Sequence, residues 1–206
     1  MPTDPLRPHD LLRLSRPRAL LTGADPAWVG AALAAAPWAV VRRRRAAPGH
    51  VAVGVRGARR SERHAASTPV VNVADTVRPE DLCRLADTLE PRTPALSALR
   101  RVAPVLDGLG CPWGPTGGVG FELATGLAVT TRDSDLDLVL RPRTPPTPAW
   151  AADVAERLSS PAVRVDCLLE TAAGAVALAE LAAAPDHLAL RTDQGPRLAP
   201  LAEVAG

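Results

Sequence analysis

The apolar positions in the second half of the chain follow helical and strand patterns. Leucine, valine and alanine recur at helical spacing in four stretches, which are predicted helices: 79–90, 93–110, 149–158 and 174–184. Pro104 lies inside the second of these stretches and predicts a kink or a break. Shorter apolar runs predict three strands: 134–140, 162–170 and 187–192. This half therefore alternates helices with strands.

In the first half, one predicted helix lies among short strands. Residues 25–36 are rich in alanine, Asp25 can cap the helix, and Pro37 ends it. Residues 9–14 predict a short strand or turn. Three more runs predict strands at 38–44, 50–57 and 69–74, with the first two forming a hairpin. The first half is therefore a predicted small α+β unit.

The length and the change of pattern near Arg78 favour two domains in the 206 residues. We expect an N-terminal α+β domain at 1–78 and a second domain at 79–206. Apolar residues make up 47% of the chain and aromatic residues 2%, so aliphatic side chains must fill the core. No apolar run is long enough for a membrane span or a signal peptide, and we expect a soluble cytoplasmic protein.

All 24 basic residues are arginines, and the net charge of +2 gives no general preference for polyanions. Two clusters stand out, namely 42–45 and the group Arg56, Arg59, Arg60 and Arg63. Arginine makes bidentate contacts to phosphate and carboxylate, so the second cluster is a candidate anion site; the alternative is a solvated face. With one Phe and no Tyr, the chain lacks the stacking residues of a nucleic-acid binder. Three distant cysteines predict ordinary thiols, not zinc ligands or disulfides.

Two aspartates, Asp135 and Asp137, begin the predicted strand at 134–140. Side chains alternate along a strand, so both carboxylates face one side while three leucines face the other. Two carboxylates this close cost free energy unless a cation lies between them, and oxygen ligands suit Mg²⁺. Asp166 is a single acid within the later apolar strand. If the two strands are neighbours, the three carboxylates form a cup that can hold two metal ions.

A glycine cluster at 114–120 precedes the aspartates. A turn here followed by a short helix ending at Gly126 would direct free backbone amides at an anion. Gly117 and Gly118 would allow a phosphate to approach the backbone closely. Because the pattern is neither a P-loop nor a dinucleotide fingerprint, taken alone it could equally be a simple turn. Nearby, we expect Trp113 to pack in the core against the first domain and Glu122 to lie in solvent.

These features together resemble the nucleotidyltransferase superfamily, whose pattern is a glycine pair, then Asp-x-Asp or Asp-x-Glu, then a distant Asp. Gly117-Gly118, Asp135 with Asp137, and Asp166 match this pattern. Gly118 replaces the serine that is common there, and the sixteen residues between Gly118 and Asp135 are more than usual. The resemblance implies a nucleotidyltransferase-like mixed β-sheet flanked by helices, after the small N-terminal domain.

A closer resemblance covers nearly the whole chain. The segments "RPHDLLRL", "VAVGVRGARRSERHA", "WGPTGGVGFELATG", "SDLDLVLR" and "VDCLLET" look like the malonate decarboxylase holo-acyl-carrier-protein synthases, or phosphoribosyl-dephospho-CoA transferases. Such an enzyme moves the prosthetic group of 2'-(5''-triphosphoribosyl)-3'-dephospho-CoA onto a serine of the acyl-carrier subunit of malonate decarboxylase. Pyrophosphate leaves in this reaction.

The resemblance also implies roles for individual residues. Asp135 and Asp137 would hold Mg²⁺, and Asp166 would complete a second metal site or act as a base. The amides of Gly117 and Gly118 would bind the leaving phosphates. The cluster containing Arg56 and Arg59 would bind the CoA phosphates or an acidic carrier surface. Two alternatives remain open: an ATP-dependent nucleotidyltransferase acting on a small molecule, and a non-catalytic phosphate-binding module.

Overall fold

The computed structural model describes residues 5–59, 61–86, 88, 90–160 and 162–205. The chain divides into two compact units, Met1–Arg78 and Pro79–Gly206. Each unit has its own sheet, and each is described by itself. The predicted α+β class is confirmed.

The N-terminal unit is a five-stranded antiparallel sheet with the order β4-β3-β2-β1-β5. Its core is aliphatic, with Leu12, Val29 and Val53 fully buried. Its elements, in chain order, are β1 (Leu11–Leu14), a 3₁₀ turn (Pro17–Leu20), α1 (Ala27–Ala35), β2 (Trp38–Val41), β3 (His50–Arg56), β4 (Arg63–Pro69), a second 3₁₀ turn (Val70–Asn72) and β5 (Val73–Val77).

Three details of the N-terminal unit differ from the sequence prediction. The strand β4 was not predicted. The predicted strand at 69–74 is instead the end of β4, a 3₁₀ turn and the start of β5, because the chain turns after Pro69. Asp25 does not cap α1, whose N-cap is Pro26. The Asp25 carboxylate instead accepts hydrogen bonds from the backbone and hydroxyl of Thr22 at 2.6 and 2.9 Å. His64 Nε2 lies 3.1 Å from the same carboxylate.

The buried side-chain amide of Asn72 links segments of the N-terminal unit. Asn72 accepts from the Arg16 backbone N–H at 2.7 Å and from the Ser15 hydroxyl at 3.1 Å. Its amide nitrogen donates to the Thr68 hydroxyl at 2.9 Å and to the Arg16 carbonyl at 3.2 Å. These bonds satisfy a polar side chain that is only 6% exposed, and they join β1 to the segment between β4 and β5.

The C-terminal unit is a mixed six-stranded sheet with the order β11-β10-β9-β8-β7-β6. Only the pair β7–β8 is parallel. Its elements are α2 (Pro79–Leu82), a 3₁₀ turn (Cys83–Leu85), α3 (Pro94–Asp107), β6 (Trp113–Pro115), α4 (Gly117–Thr125), β7 (Leu136–Leu140), α5 (Pro148–Leu158), β8 (Val165–Thr171), β9 (Gly174–Ala177), α6 (Leu178–Ala182), β10 (His187–Thr192), β11 (Gly195–Pro200) and a 3₁₀ turn (Leu201–Glu203).

The helix α5 makes the parallel pair possible, because parallel neighbours need a crossover connection. Thr147 caps this helix by accepting the Trp150 N–H at 3.1 Å. Its apolar stripe of Ala151, Val154 and Leu158 is buried. The chain therefore returns through α5 to place β8 beside β7 in the same direction.

Four features of this unit differ from the sequence prediction. The helix predicted at 79–90 is a short helix, Pro79–Leu82, followed by the 3₁₀ turn Cys83–Leu85. Pro104 does not break α3, which Thr93 caps and which continues to Asp107. The predicted helix at 174–184 is a short strand followed by a helix of five residues. The strand β11 pairs with β10 through a tight hairpin that the sequence analysis missed. No helix within the described ranges is both long and apolar enough to cross a membrane.

Candidate active site

Two acidic side chains meet on the neighbouring strands β7 and β8. Asp137 and Asp166 are direct partners in the parallel register, so their side chains lie on one face of the sheet. On the other face, Leu136, Leu138 and Leu140 are at most 1% exposed and anchor β7 in the core. The adjacency on which the predicted carboxylate cup depends is therefore present.

Asp135 lies one residue before β7 and not within it. The pairing nevertheless extends past the start of the strand, since the Leu136 N–H donates to the Arg164 carbonyl at 2.9 Å. Asp135 is thereby level with Arg164, as Asp137 is with Asp166. Both Asp135 and Asp137 are half-buried.

Asp166 pairs with a cation from its own strand. Arg164 Nε lies 2.9 Å from Asp166 Oδ1, and the two side chains are 72% and 44% exposed. Residues two apart on a strand face the same way, so Arg164 belongs to the same face as the carboxylates. No motif marks Arg164 in the sequence, although its alternation with Asp166 is visible there.

The glycine turn brings the start of α4 against Asp137. The Thr116 N–H donates to the Asp137 carbonyl at 2.8 Å. Gly117 then has φ +57°, and a Cβ at this position would overlap the Asp137 carboxylate. Glycine is required here both for its backbone conformation and for its missing side chain. The turn thus fixes the Asp137 carboxylate at the N-terminal end of α4.

No side chain caps α4 at its N-cap residue, Thr116. The first backbone bond of the helix runs from the Gly120 N–H to the Thr116 carbonyl at 2.9 Å. The amides of Gly117 and Gly118 precede this bond and have no carbonyl within the helix to which they can donate. This end of the helix therefore directs N–H dipoles towards the region of Asp137.

Two other glycines of the cluster serve packing. A Cβ at Gly114 would overlap the Pro79 carbonyl group, and one at Gly120 would lie 2.5 Å from the Pro115 carbonyl oxygen. These glycines let β6, α2 and α4 approach closely. Trp113 is 5% exposed and donates its indole N–H to Asp107 at 2.9 Å, so its predicted core position is confirmed.

The expectation that Glu122 is solvated is wrong, because this residue is 5% exposed. Its carboxylate receives Arg92 Nη2 at 2.5 and 2.6 Å and the N–H groups of Val129 and Thr130 at 3.0 and 2.8 Å. Burial opposes its ionisation, but the hydrogen bonds outweigh burial and hold the Glu122 pKa below the ordinary value. Glu122 thus fastens the loop after α4, which leads to the aspartates.

Arg56 and Arg59 belong to the N-terminal unit. Arg56 is the last residue of β3 and lies opposite Arg63 of β4. The Arg59 N–H donates to the Glu62 carboxylate at 3.0 Å in the following turn. Arg60 lies outside the described residues. The structure of this unit therefore places Arg56 and Arg63 side by side.

The cysteines have no feature of reactive thiols. Burial raises the pKa of Cys83 to about 12, and the nearby Asp107 and Glu80 carboxylates raise it further in the same direction. Burial likewise raises the pKa of Cys111 and, most strongly, of Cys167. A thiol whose pKa is raised forms little thiolate at neutral pH, so these residues are poor nucleophiles.

The donor set of the carboxylate face suits a hard divalent cation. Asp137 and Asp166 supply only oxygen atoms at matched positions of adjacent strands, and Asp166 already attracts a cationic group, Arg164. Within the described part of the chain, no three His, Cys, Asp or Glu side chains group closely enough to hold a metal ion.

Comparison with known proteins shows a consistent family. The phosphoribosyl-dephospho-CoA transferase MdcG C-terminal domain matches residues 81–202, and the corresponding N-terminal domain matches residues 7–79. Several bacterial proteins named phosphoribosyl-dephospho-CoA transferase are similar to this chain. The protein of Pseudomonas syringae pv. tomato is 44% identical, over 93% of this chain and 90% of the relative. That of Azotobacter vinelandii is 43% identical, over 97% and 96%. That of Pseudomonas aeruginosa is 42% identical, over 93% and 90%. No solved structure matches the chain.

Proposed function

Because the chain belongs to the phosphoribosyl-dephospho-CoA transferase family, we propose that it transfers the phosphoribosyl-dephospho-CoA group to a carrier protein. The donor is 2'-(5''-triphosphoribosyl)-3'-dephospho-CoA, and the acceptor is a serine of the acyl-carrier subunit of malonate decarboxylase. In more specific terms, the proposed enzyme is a holo-acyl-carrier-protein synthase that uses nucleotidyltransferase chemistry.

The register of Asp137 with Asp166 beside the start of α4 supports this proposal most directly. A triphosphate needs a site that accepts several negative charges. The amides of Gly117 and Gly118 offer hydrogen-bond donors to the phosphate oxygens. The carboxylates of Asp135, Asp137 and Asp166 would hold Mg²⁺, in two sites, and this charge would neutralise the phosphates in the transition state.

In the proposed reaction, the serine hydroxyl oxygen attacks the phosphorus atom that is bonded to the ribose. A new P–O bond forms to serine, the P–O bond to the outer two phosphates breaks, and pyrophosphate leaves. The hydroxyl proton is lost in the same step, and Asp166 either completes the second metal site or accepts this proton. The Gly117 and Gly118 amides stabilise the departing charge as it develops.

Arg56 and Arg59 are the proposed contacts to the phosphates of the dephospho-CoA part or to an acidic carrier surface. The adjacent pair Arg56 and Arg63 supports this role, because two guanidinium groups at matched positions of neighbouring strands can bind one phosphate together. A bidentate guanidinium is well suited to phosphate.

The test combines the purified chain, the carrier subunit and the triphosphate donor, and follows the mass of the carrier. We expect the carrier to gain the mass of one phosphoribosyl-dephospho-CoA group when Mg²⁺ is present. Asp137→Asn should abolish the gain, because it removes one negative charge at the Gly117 turn. Asp153→Asn is the matched control, since this aspartate lies on α5 and is 63% exposed.

A competent carrier that gains no mass with the wild-type chain would rule out the transferase. Transfer of a nucleotide from ATP to a small molecule would instead support the alternative nucleotidyltransferase. Undiminished carrier modification by Asp137→Asn would remove the carboxylates from the catalytic assignment.

A further inference from the structure

Arg164 pairs with Asp166, one of the three candidate carboxylates of the site. Arg164 lies one residue before β8 and is level with Asp135, and its guanidinium lies 2.9 Å from the Asp166 carboxylate. Asp166 in turn is level with Asp137. The backbone register therefore sets Asp135 level with Arg164 and Asp137 level with Asp166, and the Arg164 guanidinium contacts the Asp166 carboxylate.

Carboxylates on one face of adjacent strands repel one another, and a nearby cation relieves the repulsion. Arg164 supplies one such positive charge, at Asp166. Its side chain is 72% exposed, so the ion pair with Asp166 is highly solvated and therefore easily exchanged. The guanidinium can leave Asp166 at little cost when another cation takes its place.

A displaced guanidinium would remain beside the same face, on the flexible end of a long side chain. Its planar fork of N–H groups matches phosphate oxygens as well as it matches a carboxylate. When the donor arrives with a divalent cation, the cation can replace Arg164 at the Asp166 carboxylate. The donor's phosphates then give Arg164 a new anionic partner.

We propose that Arg164 is the internal counter-ion of Asp166 and becomes a ligand of the donor's triphosphate once a divalent cation binds at Asp166 and its register partner Asp137. This inference rests on the proposed function, and it adds a phosphate-binding residue with two alternating partners. Arg164 thus competes with the metal in the free protein and assists the substrate in the complex.

The test compares the full-length wild type with Arg164→Gln and Arg164→Lys. Mn²⁺ binding is measured by electron paramagnetic resonance without donor or carrier. Donor binding is then measured by calorimetry with saturating Mn²⁺. Arg157→Gln is the control, because Arg157 is an exposed arginine that pairs with Asp153 at 3.4 Å on α5, a different element of the same unit. Circular dichroism checks that each variant is folded.

We expect Arg164→Gln to bind Mn²⁺ about two- to fivefold more tightly, the range for losing one exposed competing ion pair. The same variant should bind the donor about tenfold more weakly, as expected for a lost charged contact to phosphate. Arg164→Lys keeps the positive charge, so its Mn²⁺ affinity should stay close to wild type, while the missing fork weakens donor binding. Arg157→Gln should change neither quantity.

Unchanged or weaker Mn²⁺ binding by Arg164→Gln would overturn the inference, and so would unchanged donor binding. A wild-type chain that binds no Mn²⁺ would overturn it as well. Failure of the proposed function has a different outcome, namely a wild-type chain that leaves the carrier unmodified. If the wild type modifies the carrier and Arg164→Gln behaves like Arg157→Gln in both titrations, only the inference about Arg164 is wrong.

Discussion

Gly117→Ala provides the most direct test of how the glycine turn positions the carboxylate of Asp137. Gly117 has φ +57°, and an added Cβ would overlap the Asp137 carboxylate. The substitution therefore does two things. It places an L-residue in the left-handed region, and it pushes Asp137 away from its register partner, Asp166.

Gly126 separates these two effects. It ends the same helix with φ +73°, and a Cβ there would meet no atom within 4 Å. Gly126→Ala should therefore cost only the left-handed backbone penalty, about 1 kcal/mol. Gly117→Ala pays a similar penalty and must also move Asp137. A displacement of about 1 Å at a reacting group costs on the order of 100-fold in rate.

The two variants are compared by urea unfolding and by the rate at which the carrier gains mass. We expect both to lose about 1 kcal/mol or slightly more in the free energy of unfolding. Only Gly117→Ala should also lose activity, by about 100-fold. If Gly117→Ala modifies the carrier within threefold of Gly126→Ala, the contact between the turn and Asp137 has no catalytic role, and the reasoning fails.

Four further substitutions test the stability of the fold. Glu122→Gln should destabilise the chain by about 2 kcal/mol at pH 7, since it breaks the partly buried pair with Arg92. The pKa of Glu122 is lower in the folded state than in the unfolded state, so the stabilisation by this carboxylate is complete above the ordinary carboxyl pKa and is lost as pH falls through the folded-state pKa. The free energies of unfolding of the wild type and Glu122→Gln, measured in urea, should therefore converge in acid. Gly30→Ala in α1 should raise stability by about 0.5–1 kcal/mol, because the nearest atom lies 3.6 Å from the new Cβ; a lower Tm would contradict this. Gly114→Ala should instead cost several kcal/mol, because its Cβ would overlap the Pro79 carbonyl, and recovery of soluble folded protein with an unchanged Tm would count against that packing. Asn72→Ala should cost about 2–4 kcal/mol by leaving buried partners unsatisfied, as measured by denaturant midpoint.

Local patterns predicted much of the C-terminal sheet correctly. The strand containing Asp137 and the strand containing Asp166 were both expected, because continuous apolar runs bounded by turn residues are a local property. The strands β4, β6, β9 and β11 were missed. Their residues are small or include proline and glycine, so only pairing with neighbouring strands makes them extended.

In the candidate site too, local sequence features were predicted, and contacts between distant residues were not. The sequence indicated that the carboxylates and glycines belong together, but Glu122 was assigned to solvent because a single acid on a short helix is usually exposed. Its burial depends on Arg92, which lies 30 residues away and supplies the compensating charge. A sequence pattern cannot reveal a partner that only folding brings close.

The sequence by itself determined the α+β class, the strand that carries Asp137 and the family resemblance, because these depend on periodicity and on motifs within short segments. Only the tertiary structure decided that Asp137 is level with Asp166, that Gly117 has no room for a side chain, and that Arg164 pairs with Asp166. The physical reason is that register, steric contact and charge pairing are relations between strands, fixed when separate apolar faces pack into one core.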